Sequence, residues 1–503
     1  MTLIKTPKHY YSWMTLIGAV IAIISLFLII FLFLISLFLG EGSQYSGLVI
    51  FIVLPTFFVI GLAMIPLGMV LKKRRERRES ITREHKFPIV NLNDPRQRWI
   101  IIFVTISTSI FLILSVLGGY EAFHYTESNE FCGTLCHQVM NPEYTTYHQS
   151  SHARVRCVEC HVGSGVDYYL KSKMTGLYQV YSVLFSKFPQ PIPTPLHNLR
   201  PAKETCEQCH WPEKFYDRKY AVHKHYLADE ENTEWDIHLL MKTNNEHRAL
   251  GLQEGIHWHI NPDVKIEYAA VSVKRDSILW VKYTNLKSGE ETIFRDDSNR
   301  VSQAQLDTLP FRKMDCLDCH NRPSHNYKPP RLFFDDAITN GVIPKDLPDI
   351  KIAAMDILKN DFPSLDSAYT AIDLGINEYY EFMYEEIYDT NRAVVEGAIA
   401  SIKNLYAENI FPEMKAKWTA YPNHLGHLES NGCYRCHNDR FKSQQGDVIS
   451  RDCTLCHLIK AQGTPGNMQY ADGKHSLDFV HPINIKGKWQ TIFCAECHKD
   501  LYE

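Results

Sequence analysis

The chain has 503 residues, 45% hydrophobic and 22% charged, with 53 basic against 57 acidic side chains and a formal net charge of −4. That length allows several domains, and that balance excludes a polycationic nucleic-acid binder as a reading of the whole chain. Fourteen cysteines and 24 histidines stand out, and their spacing carries most of the chemistry.

In chain order, apolar runs of membrane-spanning length come first, at about Trp13 to Leu39, Gly47 to Leu71 and Trp99 to Leu117. The segment from Lys72 to Arg98 carries ten Lys or Arg residues, whereas the short loop from Glu41 to Gly47 carries none. Because basic loops stay in the cytoplasm, the N-terminus is expected inside, the third helix running outward, and everything after about Gly119 beyond the membrane. The first run is too long for a cleaved signal peptide and lacks a small-residue cleavage site, so it reads as retained. The basic stretch Lys72 to Arg78 reads as a topology anchor beside lipid headgroups. Beyond residue 120 the balance turns acidic, 52 against 41, for a net charge of −11. Such a field suits a basic docking partner.

Every cysteine lies in a pair closed by histidine. Six pairs are C-x-x-C-H: Cys157/Cys160/His161, Cys206/Cys209/His210, Cys316/Cys319/His320, Cys433/Cys436/His437, Cys453/Cys456/His457 and Cys494/Cys497/His498. A seventh, Cys132/Cys136/His137, has one more residue between the thiols. Two thiols at this spacing form thioethers to the vinyl groups of one porphyrin, and the adjacent imidazole reaches the iron from the same side. A shuffled chain of this composition would contain about 0.02 such motifs, so six are not accidental. Zinc ribbons do not require histidine after every second cysteine, and disulfides require none. Seven covalent haem c groups are therefore expected, and their attachment places them outside the cytoplasm.

The fold class expected is a multihaem cytochrome c: three transmembrane helices, then a mainly α or irregular haem-packed outer region with a small antiparallel β insertion and a helical connector. The predicted segments are a membrane domain over 1–120, a haem region over 121–255 with the first three sites, and the β insertion over 256–310. The fourth site comes next over 311–345, then the connector over 346–420, and the last three sites over 421–503. Short helices and loops are expected from His124 to Pro212, with a bend at Pro189 to Pro195. The strands are signalled by alternation from Lys265 to Arg295 with turns at Arg275-Asp276-Ser277 and Lys287-Ser288-Gly289. Helical spacing marks Tyr379, Phe382, Met383, Ile387, Val394, Ile399 and Ile402 as core positions of the connector.

Each iron needs a second ligand or an open position. By position, the strongest candidate is His325, five residues after His320. Next come His152, His225, His257 or His259, His424 or His427, His475 and His481. His197, His238 and His247 read as ordinary histidines. At the irregular first site, Met140 is a candidate thioether ligand, which would raise the potential relative to two imidazoles.

At CGTLCHQVMNPEYTTYHQSSHARVRCVECHVG, and on through LKSKM and RPAKETCEQCH, the chain resembles the NapC/NirT family of membrane quinol dehydrogenases. The likeness covers roughly His124 to Phe215 and the preceding helix. It implies a first haem that takes electrons from menaquinol at the membrane interface. His152 resembles a family distal ligand, and Lys173 matches a lysine near the family's quinol pocket. Where the family has an acidic residue further on, Tyr178, Gln179 and Val180 stand here, so Glu121, His124 or Asp167 would take the quinol protons. The family's C-x-x-C-H-x-M is lengthened at both intervals in this chain. With three helices and seven sites, the architecture is closest to the seven-haem inner-membrane cytochromes of metal-reducing bacteria. The implied function is oxidation of menaquinol at a bacterial inner membrane, with electrons passed to a periplasmic cytochrome or reductase. Alternatives are an electron-transfer subunit of a larger respiratory complex and a multihaem terminal reductase.

Overall fold

The computed structural model describes residues 12–39, 53–78, 91–163, 165–196, 199–215, 218–244, 255–296, 298, 309 and 311–499. His197, His247 and the loop at 41–47 lie outside these. The chain divides into two compact units, Met1–Leu135 and Cys136–Glu503.

The first unit holds three helices long and apolar enough to cross a membrane: α1 (Trp13–Leu39), α2 (Leu54–Arg78) and α3 (Pro95–Thr126). Glycines let α1 and α2 meet closely. A Cβ on Gly18 would come 2.7 Å from the Gly61 carbonyl oxygen, and one on Gly61 equally close to Gly18. Small residues are how helices approach in lipid, where apolar side chains gain nothing by leaving the solvent. The basic run expected as a loop continues α2 through Arg78 as helix, while residues 47–52 of the predicted second span are outside the described set. The third helix starts earlier and ends later than its apolar run. Asp94 caps it by accepting from the Arg96 amide at 2.9 Å, and Pro95 supplies a first residue that needs no amide partner. Its last turns carry Glu121 and His124. The short helix α4 (Asn129–Thr134) comes next, capped by Ser128.

In the second unit, helices α5 (His137–His148), α6 (Cys157–His161) and α8 (Ala202–Thr205) are short, as expected, whereas α7 (Val166–Leu184) runs on for 19 residues. The unexpected element is a sheet of order β1-β2-β8-β9, made from Arg218–Tyr226, Glu234–Lys242, His457–Thr464 and Asn467–Tyr470. It pairs a segment before the β insertion with one that carries the sixth motif histidine. The expected strands form a second antiparallel sheet, order β6-β3-β4-β5-β7, from Arg312–Lys313, Val264–Ala270, Ile278–Asn285, Glu291–Asp296 and Phe441–Lys442. In β3, Val264, Ile266 and Tyr268 point inward while Lys265 and Glu267 point outward. Its hairpins turn where the sequence signals them, with Arg275 at φ 60° and Gly289 at φ 75°.

The connector is the main apolar core. Helices α9 (Pro330–Thr339), α10 (Ile350–Leu358), α11 (Leu365–Met383), α12 (Glu385–Thr390) and α13 (Arg392–Asn409) bury Phe334, Ile350, Ile372, Ile376, Tyr380, Val395, Ile399 and Ile402 together. It begins about 16 residues before the predicted boundary at 346. Ile399 and Ile402 are core as expected, and Tyr379 and Ile387 pack partly against it. Phe382, Met383 and Val394 are instead exposed, at 86%, 53% and 41%. The buried stripe of α11 runs through 368, 372, 376 and 380, and the helix ends before it can turn Phe382 or Met383 inward. Lys351 is wholly buried and bonded to Asp335 and the Tyr226 carbonyl, tying α10 and α9 to β1.

Candidate functional site

The motif cysteines sit in single helical turns, which is what places both thiols and the following imidazole on one side. Cys157–His161 and Cys494–His498 are one-turn α-helices, and Cys206, Cys316, Cys433 and Cys453 each start or sit in a 3-10 turn. The pairs are not uniformly enclosed by protein. Cys209 and Cys497, the second thiols of the third and seventh motifs, are exposed rather than half-buried like their partners Cys206 and Cys494. Cys160 and Cys453 are exposed as well.

Consecutive motifs neighbour one another in space. Desolvation and then Cys206 push the Cys160 thiol up, and Cys206 shares a sulfur hydrogen bond with Cys316. Burial and then Cys433 raise Cys319 to about 12 and Cys456 likewise. Cys494 feels Cys453 after burial. From the second to the seventh, the motifs therefore succeed one another in sequence order.

Six motif histidines each face one other histidine. Ring centres are 6.2 Å apart for His161 and His325, 6.0 Å for His210 and His152, and 6.3 Å for His320 and His257. They are 5.8 Å apart for His437 and His259, 6.3 Å for His457 and His427, and 6.2 Å for His498 and His481. A metal held between two imidazoles at about 2 Å on each side would separate the ring centres by about 6 Å.

The outer nitrogens agree. Nδ1 of His152, His257, His259 and His325 bonds to the carbonyl oxygens of Pro323, Thr243, Ile256 and Glu143, at 2.5–3.2 Å. A carbonyl partner requires the proton on Nδ1, which leaves the Nε2 lone pair for a metal and fixes the ring's orientation. Burial, reinforced by His437, holds His259 down to about 4, and burial with His427 does the same to His457. Neutral imidazoles are the ligating form. The residues present fit haem iron.

Among the other candidates, His225 bonds Asp335 at 3.3 Å and stacks on His223. His424 is buried, and burial followed by Arg435 lowers it to about 4. His475 is exposed in the loop after β9, and His238 bonds the Tyr220 hydroxyl at 2.6 Å as an ordinary sheet residue. At the irregular site, His137 opens α5 and Met140 stands three residues later on the same helix. Glu121 and His124 are exposed on α3, the latter with its ring centre 4.3 Å from that of Tyr120. Asp167 is exposed in the first turn of α7, and Lys173 lies with Nζ 4.9 Å over the Tyr169 ring.

Sequence reasoning missed the residues between the thiols. Asp318, inside the fourth motif and 1% exposed, accepts from Tyr268 at 2.6 Å and from Arg275 and Arg312 at 2.7 Å each. Arg435, inside the fifth motif, donates to the Asp318 and Arg275 carbonyls at 2.7 Å. Together they join two motifs to the second sheet, on whose Tyr283 stacks Trp258, between His257 and His259 in the 3-10 turn Ile256–Ile260. The available signal was opposite charges in the variable gaps of two attachment sequences. Glu143, whose carboxylate is also 3.2 Å from His325, left no signal at all.

Attachment turns, paired imidazoles and apolar spanning helices define a membrane-anchored multihaem c-type cytochrome of electron transport. The chain belongs to the NapC/NirT cytochrome c family, whose N-terminal region matches residues 94–192. It is 38% identical over 502 residues to the cytochrome c-type protein ImcH of Geobacter sulfurreducens, covering 99% of this chain and 97% of that one. Over 110 residues it is 29% identical to the cytochrome c-type protein NrfH of Wolinella succinogenes, covering 21% of this chain and 62% of the relative. No solved structure matches.

Proposed function

We propose that the chain is a seven-haem menaquinol dehydrogenase of the bacterial cytoplasmic membrane, with its N-terminus in the cytoplasm and the residues beyond α3 in the periplasm. The cysteine pairs would hold the cofactors, and His161 with His325, His210 with His152, His320 with His257, His437 with His259, His457 with His427, and His498 with His481 would hold their irons. His137 and Met140 would serve the first site. Haem c, when bound, supplies reversible one-electron couples, leaving the chain to bind quinol and handle protons.

The six imidazole pairs carry this reading. A site with two nitrogen ligands has no position left for substrate, so quinol chemistry falls to the Cys132 site, which comes after the last membrane helix in sequence. The same saturation weighs against a terminal reductase with an open site among the last three motifs. Lys173 would hold a quinol oxygen by a charge-assisted hydrogen bond. Glu121, His124 or Asp167 would accept the hydroxyl protons and release them to the periplasm. The acidic outer region would dock a basic periplasmic cytochrome or reductase.

The test is reduction of the purified chain, in lipid, by a menaquinol analogue. The wild type is expected to be reduced, and Lys173→Met to slow this roughly tenfold or more while dithionite still reduces both fully. Full reduction by dithionite with none by quinol would instead make the chain a subunit that receives electrons from a separate quinol-oxidising partner.

A further inference from the structure

Helix α7 is amphipathic the wrong way round for a helix on a water-facing surface. Its large apolar side chains are exposed: Leu170 56%, Met174 68%, Leu177 62%, Tyr178 66%, Tyr181 41% and Leu184 74%, followed by Phe185 at 62%. At 3.6 residues per turn, the six helical positions fall in one stripe about 120° wide. The side turned to the protein is small or polar, with Ser182 buried and Val183 resting on the connector core. A contiguous outward stripe of this kind marks a surface that is covered in use.

Charge identifies what covers it. Residues 166–188 contain Lys171, Lys173 and Lys187 against Asp167 alone, a basic island in a region whose net charge is −11. The lysines border the stripe: Lys171 flanks one edge, Lys173 the other, and Lys187 bonds the Tyr181 hydroxyl at 2.7 Å beyond its end. Apolar stems and tyrosines at the rim, with ammonium groups beside them, match the boundary between acyl chains and phosphates. A basic protein that docks on the acidic outer region would be repelled here. In sequence, residues 127–165 separate α7 from the end of α3.

We propose that α7 lies flat in the outer leaflet of an anionic bilayer, its Leu170–Leu184 stripe among the upper acyl chains and Lys171 and Lys187 at lipid phosphates. This stands independently of quinol oxidation.

The experiment uses the full haem-loaded chain in nanodiscs of phosphatidylcholine and phosphatidylglycerol with a phospholipid carrying a diazirine high in its acyl chain. Photolabelled peptides are mapped by mass spectrometry. Label is expected within 166–185 as well as on α1 to α3. Leu177→Glu with Leu184→Glu should abolish the α7 label while leaving that on the spanning helices, and the haem content, unchanged. Lys171→Gln with Lys187→Gln should lower the α7 label roughly fivefold in discs containing phosphatidylglycerol. Label confined to α1 to α3 in the wild type, as a protein partner or a second copy covering the stripe would give, overturns the proposal. So does a label indifferent to both pairs of substitutions. Quinol reduction, measured separately, does not enter the readout.

Discussion

The connector and the motif-bearing segment after it solve the same problem in opposite ways. From Pro330 to Tyr421 the protein makes its own interior, stacking Phe334, Ile350, Ile372, Ile376, Val395 and Ile402 at zero exposure between regular helices. From His424 to Lys499 it has single turns, two short strands of one sheet and one of another, and its buried apolar side chains are Tyr434, Phe441, Leu458, Ile459, Ala461 and Ala495. Here the groups that cluster are thiols and imidazoles, some of them, such as Cys497, open to solvent. Hydrophobic patterning specifies the first region, whereas the second is specified by where its ligands must stand, with the porphyrins expected to fill the space between.

Three measurements would break or sharpen that contrast. The largest effect should come from withholding the cofactor. Chain made without haem attachment is expected to leave a protease-resistant core over about residues 330–420 and to lose 421–499 to digestion; equal protection of both would show that the motif region folds by itself. Next is Asp318→Asn, which strips the charge facing Arg275 and Arg312 and leaves two partly buried guanidiniums opposed. A loss of about 3–5 kcal/mol in denaturant titrations is expected, together with shifted potentials at the fourth and fifth sites. The smallest is Ile402→Val in the connector, with a loss of about 0.5–1.5 kcal/mol and an unaltered haem spectrum. A spectral change there would mean the helical block is not energetically separate from the haem sites.

Attachment motifs, spanning helices, the Val264–Asp296 strands and the helical block are local patterns of spacing and periodicity, and all are legible in the sequence. The pairing of histidines is not local. Spacing alone suggests that His325 serves a site near its own motif, yet it faces His161, while His257 faces His320 and His259 faces His437. Nothing in one sequence encodes which segments will meet. The β1-β2-β8-β9 sheet escapes for the same reason, since its halves lie more than 200 residues apart. Phe382 and Met383 mislead because they continue the apolar composition of α11 after its buried face has passed. Nor does spacing tell the sheltered thiol of a pair from the open one: Cys206 and Cys209 read alike in the sequence and differ in exposure.

The crossed histidine pairs also bear on how the protein is made. If the residues beyond α3 cross the membrane in chain order, as proposed, His161 is presented long before its opposite number, His325, which lies 164 residues later. His210, by contrast, meets a partner already delivered at His152. Under the proposed ligation, the sites would thus be stitched through one another rather than closed one at a time. On that proposal, stalling export anywhere between residues 210 and 325 would leave a third site with both its imidazoles beside a second still one short.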